Sequence, residues 1–207
     1  MKHPLFVCLT LLALEFPTRA ICQSPPSQTP SEGASAQSAD QNAGVPIIKL
    51  IEIVARKTSK KFVLDPRVHA QVQLVGGDLN RIGYAELLTI LHVYGYAAVE
   101  SGDFVLVVPN SDIRAMPVPT LSGKETFPEY QYVSAVIPVT KLPAPSLVPI
   151  LRPLVPTYGQ LAAETCSNSL LMIDTYANIR RIESLIKALD VGETYKPPKC
   201  EPPGPKP

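Results

Sequence analysis

The chain has 207 residues and a formal net charge of only +1, with 19 basic and 18 acidic side chains. This balance gives no bulk electrostatic attraction to nucleic acid or to anionic lipid. Beyond the N-terminal segment, no apolar run approaches the roughly 20 residues that a membrane-spanning helix needs. Composition and charge therefore argue against a nucleic-acid-binding protein and against a helical span in the mature chain.

The N-terminus has the pattern of a secretory signal peptide. A short positive start precedes an apolar stretch at residues 5–14, and Thr18 and Ala20 are small residues at cleavage-site positions. A membrane anchor is disfavoured, because the apolar stretch is about half the length of a spanning helix. We predict a signal peptide at residues 1–20 and a mature protein that begins near Ile21, periplasmic or secreted in a bacterium.

The cysteine count leaves the disulfide pattern open. Cys8 leaves with the signal peptide, so Cys22, Cys166 and Cys200 remain, and at least one of them is unpaired or pairs between chains. A disulfide between Cys166 and Cys200 can form in an oxidising compartment. Cys22 raises the alternative of a lipoprotein, which we disfavour because Ile21 is not the small residue that lipidation requires before the cysteine.

Composition divides the mature chain into two compact segments and three others. Residues 21–44 are rich in Ser, Pro, Gln and Ala, and we predict a disordered tether because they cannot bury enough apolar surface to offset their ordering entropy. Residues 119–129 are predicted to be a linker, and residues 193–207 a Pro-rich tail that is disordered or polyproline-like. The predicted domains cover residues 45–118 and 130–192, each large enough to fold alone.

The first segment is predicted to contain two helices, two strands and a hairpin. Apolar residues recur at helical spacing from Ile47 to Ala55, and Pro46 suits a first helical turn. The remaining elements are strands at Phe62–Leu64 and Val72–Val75, a helix at Tyr84–Tyr94 that stops at Gly95, and a hairpin of Tyr96–Val99 and Phe104–Val108.

The second segment is predicted to begin with a strand and a short helix. The strand covers Val133–Thr140. The helix is expected to have Ser146 as its cap, with Pro149 in the first turn, where a missing amide costs little. Pro153 should then kink or shorten this helix.

A hairpin and a long helix follow. Ser167–Ser169 has turn chemistry, since Asn168 tolerates a left-handed backbone. The apolar run Leu170–Ile173 predicts a strand buried on both faces. Thr175 or Asp174 can cap the last helix. Its apolar stripe contains Ile179, Ile182, Leu185, Ile186 and Leu189, and Gly192 is its stop signal. The fold class is therefore α+β, with two small mixed domains, the second a βαββα unit.

Particular residues in both segments resemble one family. The stretches Phe62 to Val68 (FVLDPRV), Tyr94 to Val99 (YGYAAV) and Val107 to Pro109 (VVP) resemble the first periplasmic N-domain of bacterial secretins, most closely the type II secretion branch. Five further stretches resemble the second N-domain, a small KH-like fold. They are residues 151–155 (LRPLV), Tyr158-Gly159, Ser167-Asn168, residues 170–174 (LLMID) and residues 178–182 (NIRRI).

This resemblance implies a ring-forming outer-membrane channel whose N-domains project into the periplasm. In that family the first domain meets the inner-membrane platform, and the second stacks side by side in the ring. The sequence departs from the family twice. It ends at Pro207, so we expect no pore domain and no channel from this chain alone. Residues 38–44 occupy the place of the family's first strand, and a missing strand would leave a sheet edge open to a partner.

No residue pattern indicates catalysis, a cofactor or a metal. His69 and His92 lack partners at metal-ligand spacing, and we expect both to be exposed. The second segment lacks the Gly-x-x-Gly loop through which KH modules bind nucleic acid. At turns and caps, carboxylates are expected to bind local backbone amides. These carboxylates are Asp65, Asp78, Asp103 and Asp174.

Two sets of basic residues have simple structural explanations. We interpret the cluster after the first helix as solvated cations that complement the helix dipole. Its members are Arg56, Lys57, Lys60 and Lys61. Of Arg180 and Arg181, which match family positions, one should face solvent or a neighbouring subunit.

The leading prediction is a non-enzymatic, secretin-like periplasmic component of a protein secretion system, associated with the outer membrane or cell envelope. Its expected partners are a secretin or inner-membrane platform proteins, in a homo- or hetero-oligomeric ring, with membrane association through partners or, as the weaker alternative, a lipid at Cys22. One alternative is a free periplasmic adaptor or signalling module. A third class, a periplasmic enzyme, would need a buried ionisable cluster in a cleft.

Overall fold

The structure is a computed structural model that describes residues 44–123 and 125–200. The predicted signal peptide, residues 1–20, lies outside the described residues. The predicted tether, residues 21–44, also lies outside them except for Gly44, and the tail is described as far as Cys200.

The N-terminal module, residues 45–118, mixes two helices with two small sheets. Strands β1 and β3 form an antiparallel pair, and β2, β5 and β4 form a sheet in that order, with β2 parallel to β5 and β4 antiparallel to it. The elements are β1 (Val45–Pro46), α1 (Ile47–Thr58), β2 (Lys61–Leu64), β3 (Gln71–Val72), a 3-10 turn (Leu79–Arg81), α2 (Tyr84–Val93), β4 (Tyr96–Ser101), β5 (Phe104–Pro109) and a second 3-10 turn (Asn110–Ala115).

The core of this module lies between the helices and the sheets. Along α1 the buried residues are Ile47, Leu50, Ile51 and Val54, as the helical spacing predicts. They pack with Leu87, Leu88 and Leu91 of α2 and with Val105 and Val107 of β5. The burial of one stripe on each helix is what fixes the helices against the sheets.

The expectation of a missing strand before the first helix is wrong, since β1 pairs with β3; of residues 38–44, which the expectation concerned, all but Gly44 lie outside the described residues. Gly44 explains how the chain approaches β3 so closely: a Cβ atom there would lie 3.0 Å from the Gln71 carbonyl carbon and from the Val72 oxygen. The prediction of a strand through Val75 is also too long. Among the described residues, β1 pairs only with Gln71 and Val72, and Val75 is 95% exposed.

The C-terminal module, residues 130–192, is a βαββα unit. Its sheet has the order β6-β8-β7, antiparallel throughout, and both helices contribute to the core on one face. The elements are β6 (Tyr132–Pro138), α3 (Ala144–Leu151), a 3-10 turn (Arg152–Leu154), β7 (Gln160–Glu164), β8 (Ser169–Thr175) and α4 (Tyr176–Leu189). The predicted α+β class and the predicted KH-like order of elements are confirmed.

Helix α3 begins earlier than the sequence predicts. Pro143 is the N-cap, and Ser146 lies inside the helix with its hydroxyl donating to the Pro143 carbonyl at 2.7 Å. Pro149 therefore lies in the helix interior. The start is set from outside the helix, because the buried Asn168 Oδ1 accepts a hydrogen bond from the Ala144 amide at 2.7 Å.

Strand β8 and helix α4 differ from prediction in which residues they bury. Leu170 and Met172 are fully buried, whereas Leu171 between them is 42% exposed, so β8 is buried on one face instead of two. In α4 the buried residues are Ile179, Ile182 and Ile186, and Leu185 and Leu189 lie at the margin, more than a third exposed. Thr175 is the N-cap, as predicted, and accepts a hydrogen bond from the Asn178 amide.

The segment between the modules lies against β6. The Leu121 amide donates to the Ser134 carbonyl, and the Ser134 amide donates to the Pro119 carbonyl, both at 2.8 Å. Leu121 and Phe127 also pack on the core of the C-terminal module. A further apolar cluster of Ala97, Val99, Ile113 and Tyr132 joins the two modules, which lie within one compact unit, Asp40–Pro207.

Two polar side chains bind the β6–α3 loop. Asn168 has a φ of 47° and is buried; its Nδ2 donates to the carbonyls of Val139 and Leu142. Asp190, at the end of α4, accepts hydrogen bonds from the amides of Thr140, Lys141 and Leu142 and from the Thr140 hydroxyl. Burial alone would raise the pKa of Asp190, but these hydrogen bonds outweigh it and lower the pKa to about 2.

The described part of the tail is attached to the C-terminal module. The Tyr195 amide donates to the Thr140 carbonyl at 2.9 Å, and Cys200 forms a disulfide with Cys166 in the β7–β8 turn. The cysteine pairing that the sequence left open is thereby resolved for these two residues. Cys22 lies outside the described residues.

Candidate interaction surfaces

The outer face of the C-terminal sheet carries an apolar row. Val136 of β6, Leu171 of β8 and Ala162 of β7 are direct neighbours across the three strands. Val136 is 60% exposed and Leu171 is 42% exposed, and α3 and α4 pack on the opposite face. We call this row the outer sheet face; within the described residues it has no covering layer. An antiparallel sheet tolerates one solvated face, but an apolar row there is typical of a contact surface.

A cleft of about 430 Å³ lies where the end of α2 meets the C-terminal module. Its lining includes His92, Tyr130, Leu154, Asp174 and Arg181. His92 Nδ1 lies 3.2 Å from the Tyr132 hydroxyl, and the His92 ring centroid lies 4.8 Å from that of Tyr130. The prediction that His92 is exposed is therefore wrong, because the two tyrosines that cover it come from the other module. His69 is exposed, as predicted.

The pKa values of two groups in this cleft, Asp174 and His92, are shifted from their ordinary values. Burial raises the pKa of Asp174, although its hydrogen bonds from the Asn178 side chain and the Thr175 amide oppose this effect. Burial also lowers the pKa of His92, against the attraction of the Asp174 carboxylate. Arg181 donates to the Leu154 carbonyl at 3.2 Å.

The cleft thus contains the kind of ionisable cluster that an enzyme would need. Its groups, however, are already engaged: both Asp174 oxygens accept hydrogen bonds, and no serine or cysteine side chain is among the lining residues. Across residues 44–123 and 125–200, no group of three His, Cys, Asp or Glu side chains is placed to hold a metal ion. The Asp174 carboxylate and the Thr175 hydroxyl are of nucleophilic type, but in this structure both accept hydrogen bonds from the first turn of α4.

The other aspartates named from the sequence bind backbone amides or lie at a turn. Asp65 accepts from the Arg67 amide, and Asp78 from the Asn80 amide, both as predicted. The Arg67 side chain also bonds Asp65, and this bond is the main reason that the pKa of Asp65 falls to about 2. Asp103 lies in the exposed β4–β5 turn.

The basic cluster after α1 is divided among different partners. Lys57 Nζ donates to the Ile82 carbonyl at 2.9 Å, Lys60 pairs with Glu100 at 2.7 Å, and Lys61 lies over the Phe104 ring. Arg56 is exposed at the end of the helix, as a solvated cation would be. The predicted interpretation therefore fits Arg56 better than the three lysines, each of which contacts a particular group.

The two neighbouring arginines of α4 point to different places. Arg180 lies over the Tyr176 ring and lines a groove of about 620 Å³ between α4 and the 121–126 loop, beside β6. Arg181 lines the cleft. The sequence predicted that one of the pair faces solvent or a neighbouring subunit; both are exposed, so the structure does not distinguish them.

Two residues with clear roles in the structure, Val136 and Asp190, were not identified from the sequence. Val136 alternates with the buried Ala135 and Ile137, so a strict two-residue period through β6 would have indicated it. Asp190 had no such signal, because its donors lie about 50 residues earlier in the chain.

The chain thus consists of a mixed two-sheet module followed by a βαββα module. Two family models match the chain: "GspD-like, N0 domain" at residues 42–107, and "Bacterial type II/III secretion system short domain" at residues 134–194.

Similarity to individual proteins of known sequence or structure points to the same family. Secretin XcpQ of Pseudomonas aeruginosa is 35% identical over 147 residues, which is 70% of this chain and 21% of XcpQ. Secretin GspD of Vibrio cholerae is 30% identical over 152 residues, 71% of this chain and 23% of GspD. The Klebsiella pneumoniae type II secretion system outer membrane complex of PulD, PulS and the PulC HR domain matches 73% of this chain and 26% of that chain, with 26% identity and a TM-score of 0.62.

The chain therefore belongs to the bacterial secretin family and contains the first two N-terminal domains of its type II secretion branch, in family order. It spans about a fifth of the length of the curated relatives that it matches. Those relatives are named as secretins, not as enzymes. In the part of the chain that the structure describes, no helix is both long and apolar enough to cross a membrane.

Proposed function

We propose that this chain is a non-enzymatic periplasmic component of a type II protein secretion system, and that it acts by contacts with a secretin ring or with inner-membrane platform proteins. The observation that carries the proposal is the outer sheet face, an apolar row presented by a domain of a ring-forming family. Burying such a row against a neighbouring chain removes apolar area from water, which is the main source of association energy.

The proposed organisation follows the predicted boundaries. Residues 1–20 direct export, residues 45–118 form the first secretin N-domain, and residues 130–192 form the second. The segment at 119–129 connects them, and residues 193–207 form a Pro-rich tail. Localisation in the periplasm, at the outer membrane or cell envelope, follows from export and from the partners.

The partners proposed here take support from the solved Klebsiella complex, in which PulD occurs with PulS and the PulC HR domain. The two modules divide the proposed contacts. The C-terminal module stacks through its outer sheet face, and the N-terminal module faces the platform. A free adaptor or signalling role, the alternative, would require neither contact.

Affinity purification from cell envelopes in mild detergent tests this proposal. We expect the wild-type chain to recover an identified secretin or platform protein, and Leu171→Lys to lose the secretin, because a charge in the apolar row must be desolvated on contact. The matched control is Val63→Lys: Val63 is also a sheet residue, 48% exposed, but it lies on β2 of the other module.

Three outcomes would count against the proposal. These are recovery of the wild-type chain as a lone soluble monomer, recovery with only a regulator and a receptor, and equal loss of the secretin in both variants. Circular dichroism of each variant must match the wild type, so that loss of binding is not loss of fold.

A further inference from the structure

The joint between the two modules is built around a single histidine. We define the joint as His92, Tyr130, Tyr132 and Asp174. His92, in the last turn of α2, belongs to the N-terminal module, and the other three belong to the C-terminal module. The His92 ring centroid lies 4.8 Å from that of Tyr130 and 6.1 Å from that of Tyr132, whose hydroxyl lies 3.2 Å from His92 Nδ1.

Tyr132 links this histidine to the apolar contact between the modules. It is fully buried and clusters with Ala97 and Val99 on β4 and with Ile113. Its ring also meets Tyr158 edge-on, with centroids 6.3 Å apart. A change in the contact between His92 and Tyr132 therefore acts directly on the surface that holds the two modules together.

Two charged groups face the cleft beside His92. From β8, the Asp174 carboxylate attracts a proton on His92, while its oxygens also accept from the Thr175 amide at 2.7 Å and from the Asn178 side chain at 2.6 Å. From α4, Arg181 lines the same cleft. The attraction of Asp174 is outweighed by the half-buried position of the His92 ring, where a charge is costly to desolvate.

We propose that this joint is acid-sensitive: protonation of His92 weakens its packing on Tyr130 and Tyr132 and lets the two modules change their relative orientation. The inference concerns the joint alone and holds whichever partner the chain binds. Histidine is the residue whose charge changes near neutral pH, and small changes of environment shift it across that range.

The direction of the pH dependence follows from the environment of the two ionisable groups. Burial lowers the pKa of His92 from its ordinary value of 6.5, so the open joint takes up protons more readily than the packed one. The packed joint is therefore stable at neutral pH and is weakened as the pH falls below about 6.5. Asp174 acts in the opposite direction at lower pH, since burial raises its pKa and its protonation favours the packed form.

Residual dipolar couplings measured by NMR on the mature chain report module orientation directly. At about pH 7.5 we expect one alignment tensor to fit both modules; at about pH 5.5 the two modules should require tensors of different magnitude. The His92 ring signals, followed in the same samples, should titrate with a midpoint below the ordinary value of 6.5. Far-UV circular dichroism should not change over this range.

Two variants separate the histidine from other causes. His92→Phe keeps an aromatic ring against the tyrosines but cannot take up a proton, and it should keep a single tensor at both pH values. Tyr132→Phe removes only the hydroxyl and should retain the response to acid, because the buried charge on His92 remains its cause. The proposal is overturned if His92→Phe separates as the wild type does, or if the wild type keeps one tensor after His92 has titrated.

Discussion

The two modules are similar in size and class, but they hold their irregular segments in different ways. In the N-terminal module the loop after β2 is held largely by exposed groups: Arg67, whose side chain is 58% exposed, pairs with Asp65 and Asp112, and the Tyr96 hydroxyl bonds the backbone of Arg67 and His69. In the C-terminal module the β6–α3 loop is bound by Asn168, which is only 4% exposed, and by Asp190. Exposed pairs contribute little to stability, whereas buried hydrogen bonds are costly to lose.

Within the described residues, two non-glycine residues have a positive φ, and they differ in the same way as the two loops. Ser59 ends α1 with a φ of 55°, is exposed, and has no side-chain hydrogen bond within the described part of the chain. Asn168 has a φ of 47° and three side-chain hydrogen bonds to backbone. One position needs only a backbone conformation, and the other needs that particular side chain. The β6–α3 loop of the C-terminal module is thus fixed by particular side chains.

Loss of the disulfide should have the largest effect, and it should fall on the C-terminal module. Cys166 and Cys200 are separated by 34 residues, so their link lowers the entropy of the unfolded chain by an amount worth about 4 kcal/mol in the loop-closure model. The double variant Cys166→Ser/Cys200→Ser should lose up to that free energy of unfolding in urea. Reductant should reproduce the loss in the wild type and do nothing to the variant; a reductant effect on the variant would contradict this explanation.

Replacement of Asn168 should come next. Asn168→Ala removes three hydrogen bonds to buried or half-buried backbone groups and should cost about 3 kcal/mol. Asn168→Gly relieves the positive φ but not the lost bonds, so it should cost about 2 kcal/mol. Chemical denaturation measures both. A neutral Asn168→Gly would show that only the backbone conformation matters here.

The Asp190 carboxylate should make the C-terminal module sensitive to strong acid. Its pKa is lowered from 3.8 to about 2, so its contribution is present above about pH 4 and is lost as the pH falls through about 2. Asp190→Asn should cost about 1–2 kcal/mol at neutral pH, after allowance for solvent screening. Urea midpoints of wild type and variant should converge on acidification, and parallel curves would exclude this role.

Ser59→Gly should give the smallest effect and the opposite sign. Glycine adopts a left-handed conformation without steric cost, so this change should stabilise the N-terminal module by up to about 1 kcal/mol. The same substitution destabilises at Asn168, and this reversal of sign is the sharpest form of the comparison. Thermal unfolding of the two glycine variants side by side measures it.

The elements that the sequence predicted well are those with a local cause. The stripe of α1, the end of α2 before Gly95 and the cap at Thr175 depend on residues a few positions apart. The errors arose where a distant partner decides the outcome. Strand β3 is short because β1 is short, and α3 begins early because Asn168 binds its first amide.

The candidate surfaces were harder to predict for the same reason. In β8 the run of four apolar residues hides the alternation between Met172 and Leu171, which appears only once β6 and β7 flank the strand. The environment of His92 depends on Tyr132, 40 residues later. The resemblance to secretins named the family from motifs, but only the register placed Val136 and Leu171 in one row.

Site-specific photo-crosslinking in living cells tests the proposed function most directly. A photoreactive amino acid is placed at Leu171 on the outer sheet face, or at Val63 on β2 as the comparison, and each is about equally exposed at 42% and 48%. We expect Leu171 to cross-link to an identified secretin or to a second copy of this chain. Cross-links from Val63 alone, or none from Leu171 in cells that are actively secreting, would contradict the account.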